Sequence, residues 1–297
     1  MPAEINDTQI DALLPPEMAK RAEEVGVRKC TLEFWPLLTL AVLAGAFISL
    51  GAMFSTTVTA GAGGAMPFGV VRLLAGLTFC LGLVLVVVGG AELFTGNALI
   101  VMAWASGRVT ARQVARQWTI VYAGNFLGAV FTAALVFFSG QHTFGGGAVG
   151  VTALEIARAK TSLGFLQAVW LGILCNTLVC LAVWLCLGAR GTADKILAIV
   201  FPITAFVAAG FEHSIANMYF VPLGLMIQGD GTFLNSVGKR ASDYPSLSWQ
   251  NFLAYNLLPV TLGNLIGGVV LVSLVYWFVY LHPKTAKTGA VDAPPIM

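Results

Sequence analysis

The chain is 297 residues long, 58% hydrophobic and only 10% charged, with a formal net charge of +2. Soluble domains carry about a quarter charged residues, so this composition excludes one and indicates an integral membrane protein whose medium is the lipid bilayer. The small net charge gives no reason to expect a nucleic-acid partner, and five cysteines without ligand or disulfide spacing give none to expect a metal or cofactor.

Residues 1–33 are polar and lack the apolar core and cleavage site of a signal peptide. They read as a retained cytoplasmic tail with a short helix over Pro15 to Val27, opened by Pro15 and Pro16 and closed at Gly26. A first span is predicted from Phe34 to Val58. A second starts near Phe68, breaks at the polar knot GGAELFTGN (89–97) and resumes over Ala98 to Ala105. A basic loop leads to a third span, Gln117 to Phe138, and residues 139–162 read as a long Gly-rich extracytoplasmic loop. The fourth span, Leu163 to Leu187, holds Asn176 at depth. The fifth is predicted as half-helices Ile196 to Ala208 and Met218 to Ile227 around a second knot, AAGFEHSIANM (208–218). A sixth span over 249–281 precedes a tail, 282–297, that reads as disordered.

The two knots match. Gly90, Glu92 and Asn97 lie 120 positions before Gly210, Glu212 and Asn217, and GNFLG (124–128) in the third span mirrors GNLIG (263–267) in the sixth. The chain is therefore two repeats of three spans, 34–138 and 163–281. An odd number of crossings per repeat inverts the second copy about an axis in the membrane plane. The expected fold is an all-α membrane protein of six spans, an inverted three-span repeat with two broken helices facing each other at mid-depth.

Counting Lys and Arg beside the spans gives eleven on the side of the tails, Lys284 and Lys287 among them, and four on the other, Arg158, Lys160, Lys239 and Arg240. Both termini are expected in the cytoplasm by the positive-inside rule.

Half-helices meeting in the membrane offer free amides and helix-end dipoles suited to a small ion. At the knots, Thr95 adds a hydroxyl and His213 an imidazole able to donate a hydrogen bond to an anion or lend it a proton. The plainer use of Glu92, Glu212, Asn97, Asn176 and Asn217 is to satisfy backbone groups freed by the breaks, and that is the expectation for Glu92, Glu212 and Asn97. His213, ionisable and inside a broken helix, points instead to a path. Phe79, Leu83, Leu93 and Phe206 lie within about three turns of the knots, where ordinary packing is the default use.

GAELFTGN at 90–97, LGILCNTLVCLAVW at 171–184, GFEHSIANM at 210–218 and VTLGNLIGG at 260–268 resemble segments of the formate/nitrite transporter family, and the likeness spans nearly the whole chain. LLPPEMAKRAEE and MPFG resemble its formate channels, whereas Glu92, where those often carry Asp, and Gly96-Asn97 are nearer to nitrite-type members. The resemblance implies an aquaporin-like protomer with its own pore, assembled as a homopentamer in a bacterial inner membrane. It places Thr95 and His213 at the pore centre, Asn176, Glu212, Asn217 and Glu92 in the surrounding hydrogen-bond network, Phe79, Leu83, Leu93 and Phe206 as constrictions, and Lys160 as a vestibule cation. The substrate it implies is a small monovalent weak-acid anion, formate first, with nitrite or hydrosulfide as alternatives. An intramembrane enzyme lacks any HExxH, GxSxG or paired-Asp signature. A non-transporting anchor for a formate-oxidising complex is the remaining rival.

Overall fold

A computed structural model describes residues 12–282. The N-terminal eleven residues and the tail beyond 282, including Lys284 and Lys287, lie outside the described residues. Within them the protein is helical without a strand, and six helices are long and apolar enough to cross a membrane.

Helix α1 (Pro15–Thr31) precedes the first span, α2 (Phe34–Thr59). The second span is α3 (Phe68–Gly89) followed, after the break, by α4 (Gly96–Ala105), and α5 (Ala111–Phe138) is the third. Helix α6 (Ala148–Thr161) precedes α7 (Phe165–Gly188). The fifth span is α8 (Thr192–Ala209) followed by α9 (Ser214–Gln228). After the short α10 (Gly231–Ser236), the sixth span α11 (Asn251–Tyr280) completes the bundle, with wide π-type turns at both ends of its α-helical centre.

Residues 139–162, read from the sequence as a loop, contain α6. Glycines 145 to 147, all at positive φ, let the chain double back, and Gly147 caps an alanine-rich helix too short and too charged to register as a span. Helix α6 packs against α9, as α1 packs against α4 and the end of α7. The repeat is thus four elements, a lead helix, a span, a broken span and a span. The strings KCTLEF at 29–34 and KTSLGF at 160–165, 131 positions apart, mark the join of lead helix and span in each copy.

Close helix contact explains the two GNxxG strings. A methyl group on Gly128 would collide with the Val42 carbonyl oxygen of α2, and one on Gly267 with that of Ile173 on α7, the residue matched to Val42. Backbones approach this closely only where side chains are absent. The five cysteines are buried and unpaired.

Gly128→Val and Gly267→Val are each expected to lower unfolding stability by about 1–3 kcal/mol through overpacking. Gly63→Val, where an added Cβ meets no atom within 4 Å among the described residues beyond its chain neighbours, should stay within about 0.5 kcal/mol. Denaturant unfolding of the detergent-purified protein compares the three.

Candidate functional site

Each break begins where a helix ends on a left-handed glycine, Gly90 at φ 83° and Gly210 at φ 78°, a conformation that costs other residues their Cβ clearance. The next amide turns back, Ala91 N–H to Val86 O at 2.9 Å and Phe211 N–H to Phe206 O at 3.0 Å. The extended residues that follow have no helical partners, and lipid supplies none.

Glu92 N–H and Glu212 N–H find Leu40 O at 3.1 Å and Leu171 O at 3.3 Å on neighbouring spans, and the asparagines of the GNxxG strings supply further partners. Asn125 Oδ1 accepts from Phe94 N–H at 2.9 Å, while its Nδ2 donates to Glu92 O at 2.9 Å and Ala41 O at 2.7 Å. Asn264 repeats the pattern with Ser214 N–H at 2.9 Å, Glu212 O at 2.9 Å and Gly172 O at 2.8 Å. Asn176 adds a further tie, donating to Thr95 O at 3.2 Å and Asn264 O at 2.7 Å. Of Glu92, Glu212, Asn97, Asn176 and Asn217, only the Asn176 side chain is bonded to backbone groups in this way.

The glutamate side chains are held otherwise. Glu92 takes Lys29 Nζ at 2.8 Å, Asn97 Nδ2 at 2.8 Å and Gln117 Nε2 at 3.2 Å. Glu212 takes Lys160 Nζ at 2.9 Å, Asn217 Nδ2 at 2.7 Å and Asn256 Nδ2 at 3.3 Å. Each buried carboxylate is met by one cation and two amides, which is how a charge is held out of water. The two copies differ in how the remaining amide groups are used. Lys29 also donates to Asn97 Oδ1 at 2.8 Å, whereas Asn217 Oδ1 is buried without a partner among the described residues; in the second copy Asn217 Nδ2 also donates to Asn256 Oδ1 at 2.8 Å and Asn256 Nδ2 to Lys160 O at 2.9 Å. Lys160 instead lies 5.3 Å over the Phe220 ring.

At the centre, His213 is the N-cap of α9. Its Nδ1 accepts from Ala216 N–H at 3.1 Å, and its Nε2 lies 3.0 Å from Thr95 Oγ1. With Nδ1 acting as acceptor, the neutral ring carries its proton on Nε2, which therefore donates to the Thr95 hydroxyl. The Phe206 ring stacks on the imidazole with centroids 5.9 Å apart, and Phe79 meets Phe206 edge to face at 5.7 Å. Glu212 and Asn217, grouped with His213 by the sequence string, form a separate cluster around Lys160.

Two cavities flank this centre. One, of about 410 Å³, is lined by Lys29, Glu92, Asn97, Leu83 and Leu93. The other, of about 450 Å³, is lined by Lys160, Glu212, His213, Phe79 and Phe206. Helix α3 borders the second with Phe79 and the first with Leu83, one turn further along, so only a thin apolar layer divides them.

Sequence reasoning missed Lys29, Gln117 and Asn256, and took Asn125 and Asn264 only as parts of contact motifs. The signals were present. KCTLEF against KTSLGF pairs Lys29 with Lys160, and Gln117 and Asn256 each stand eight residues before the motif asparagine. Next to Lys29, burial first and the Glu92 charge second push the Cys30 thiol up from its ordinary range.

The formate/nitrite transporter family profile matches residues 16–278. Formate channel FocA of Escherichia coli (strain K12) is 46% identical over 278 residues, 93% of this chain and 97% of that protein. A probable formate transporter of Methanothermobacter thermautotrophicus is 36% identical, covering 90% and 97%. A solved structure described as a pentameric formate channel with formate bound superposes with a TM-score of 0.79 at 43% identity, over 84% of this chain and 98% of that one.

Asn125→Leu and Asn264→Leu each leave one amide and one carbonyl of the break without their side-chain partner, and remove the tie to a carbonyl of the neighbouring span. Each is expected to destabilise the protein by at least about 2 kcal/mol, one or more per orphaned group of the break, read as loss of folded protein in detergent unfolding.

Proposed function

The chain belongs to the formate/nitrite transporter family, and from that premise we propose that each protomer is a pore for formate, in a pentamer set in a bacterial inner membrane with both termini cytoplasmic. The observation that carries the reading is the pair of cavities, each with a lysine–glutamate clasp, divided by a thin apolar layer, with His213 lining one of them and hydrogen-bonded to Thr95. The formate channels of similar sequence and fold give the substrate.

An anion entering either cavity meets a lysine. Lys160 spends one of its three N–H donors on Glu212, leaving two for the anion. Beyond lie Phe79, Phe206, Leu83 and Leu93, where a bare anion pays a desolvation cost that its neutral acid does not. His213 Nε2–H and the Thr95 hydroxyl meet the anion there as donors. A proton taken up from solution and passed to formate through His213 lets formic acid cross, and the proton is released on the far side. For the ring to stay neutral as Nε2 hands its proton to formate, Nδ1 must release Ala216 N–H and take up the proton that comes from solution.

The test is labelled formate uptake into proteoliposomes across a pH series, with nitrite and hydrosulfide as competitors. Formate flux by the purified protein is expected, faster at lower pH. His213→Phe should flatten that pH dependence, and an unchanged profile removes His213 from the mechanism. Stronger flux of nitrite or hydrosulfide than of formate would reassign the substrate.

A further inference from the structure

We infer that Arg72 is a second anion-contacting cation of the Lys160 cavity and the source of its net positive charge, an inference that rests on the anion-pore reading above. The charges lining that cavity among the described residues are Arg72, Lys160 and Glu212. Lys160 and Glu212 are paired at 2.9 Å and offset each other. Arg72 is what remains. The opposite cavity has no such dependence, since beside its Lys29–Glu92 pair it is lined by Arg21, Arg28 and Lys195.

The position of Arg72 fits this use. It stands on the second turn of α3, half-buried, and reaches across to the C-terminal end of α8. Its Nε donates to Ala208 O at 2.9 Å and its Nη2 to Val207 O. Helix α8 ends here inside the membrane, and free carbonyls at a helix C-terminus form a negative pole that repels an anion. The guanidinium covers them. It fills the space over the break, so that a Cβ on Gly210 would stand 3.2 Å from Nη2. At the matched glycine, Gly90, nothing lies within 4 Å, and the residue matched to Arg72 is Thr192.

Two of the five guanidinium N–H groups go to the carbonyls, which leaves three. Bordering the same cavity as His213 and Phe206, they offer a charged contact on the approach to the apolar layer. Arg72 thus does two things with one group: it neutralises the helix end and offers the anion charge-assisted donors.

Two variants separate charge from bracing. Arg72→Gln keeps an N–H donor for the Ala208 carbonyl and loses the charge. Arg72→Lys keeps the charge and loses the fork that spans both carbonyls. With labelled formate uptake measured against formate concentration in proteoliposomes, Arg72→Gln is expected to raise the half-saturating concentration about tenfold, the effect of one lost charge-assisted hydrogen bond. Arg72→Lys should stay within about threefold of the unaltered protein, even where its melting temperature falls. Two variants with unchanged half-saturation and lowered maximal rates would make Arg72 a brace only and overturn the proposal. So would an Arg72→Lys shift of about tenfold or more, a criterion that needs only the lysine variant and so stands if the glutamine variant does not fold. Absence of formate flux through the unaltered protein would instead sink the functional reading itself.

Discussion

Everything in this structure depends on breaking two helices in the middle of a membrane without leaving their backbone unpaired. Each orphaned amide or carbonyl in hydrocarbon costs several kcal/mol, and each break frees several. One asparagine per repeat ties the break to the span beside it, because an amide side chain offers one acceptor and two donors in a fixed plane. Asn125 and Asn264 are fully used in this way, each serving one N–H and two carbonyls. The glycines on either side of them belong to the same solution. Gly124 and Gly128 bring α5 near enough to α2 for Asn125 to reach Ala41 O, and Gly263 and Gly267 do the same for α11 on α7.

With the breaks secured, the repeats diverge where function enters. Leu93 in the first break is matched by His213 in the second, so the centre has one titratable ring rather than two. The clasps around Glu92 and Glu212 share their geometry, yet Lys29 is tied to two acceptors and Lys160 to one. The positive charge also differs in origin: surface arginines and Lys195 around one cavity, a single guanidinium from within a span around the other. A symmetric scaffold thus carries two unlike entrances.

The fold was legible because hydropathy in a membrane is a strong constraint: a run of apolar residues has few alternatives to a helix, and glycines beside glutamates within one mark a break. The inverted repeat followed from spacing alone. Helix α6 was hidden by its glycine-rich approach and by a length below that of a span. The pairing of Thr95 with His213 could be anticipated, since both stand in knots that symmetry brings together. The clasps could not. Lys29 lies beyond the end at Val27 that the sequence predicts for the lead helix, which instead runs on to Thr31, and its reach to Glu92, 63 positions away, follows from how α1 lies across the bundle. Charged residues near span ends say where a membrane surface is, and only packing says which of them turn inward.

The buried thiols give the molecule one further property. Cys30, Cys80, Cys175, Cys180 and Cys186 are all enclosed, and burial holds the Cys30 thiol above its ordinary range and so away from the reactive thiolate. Of the five, Cys186 lines the first cavity, so it is the native sulfur that a water-borne alkylating reagent entering there would meet. With Cys186 replaced, a cysteine introduced on the wall of either cavity becomes the reporter of its own surroundings, and membrane-impermeant maleimides applied to one face of the bilayer at a time can read which cavity opens to which side.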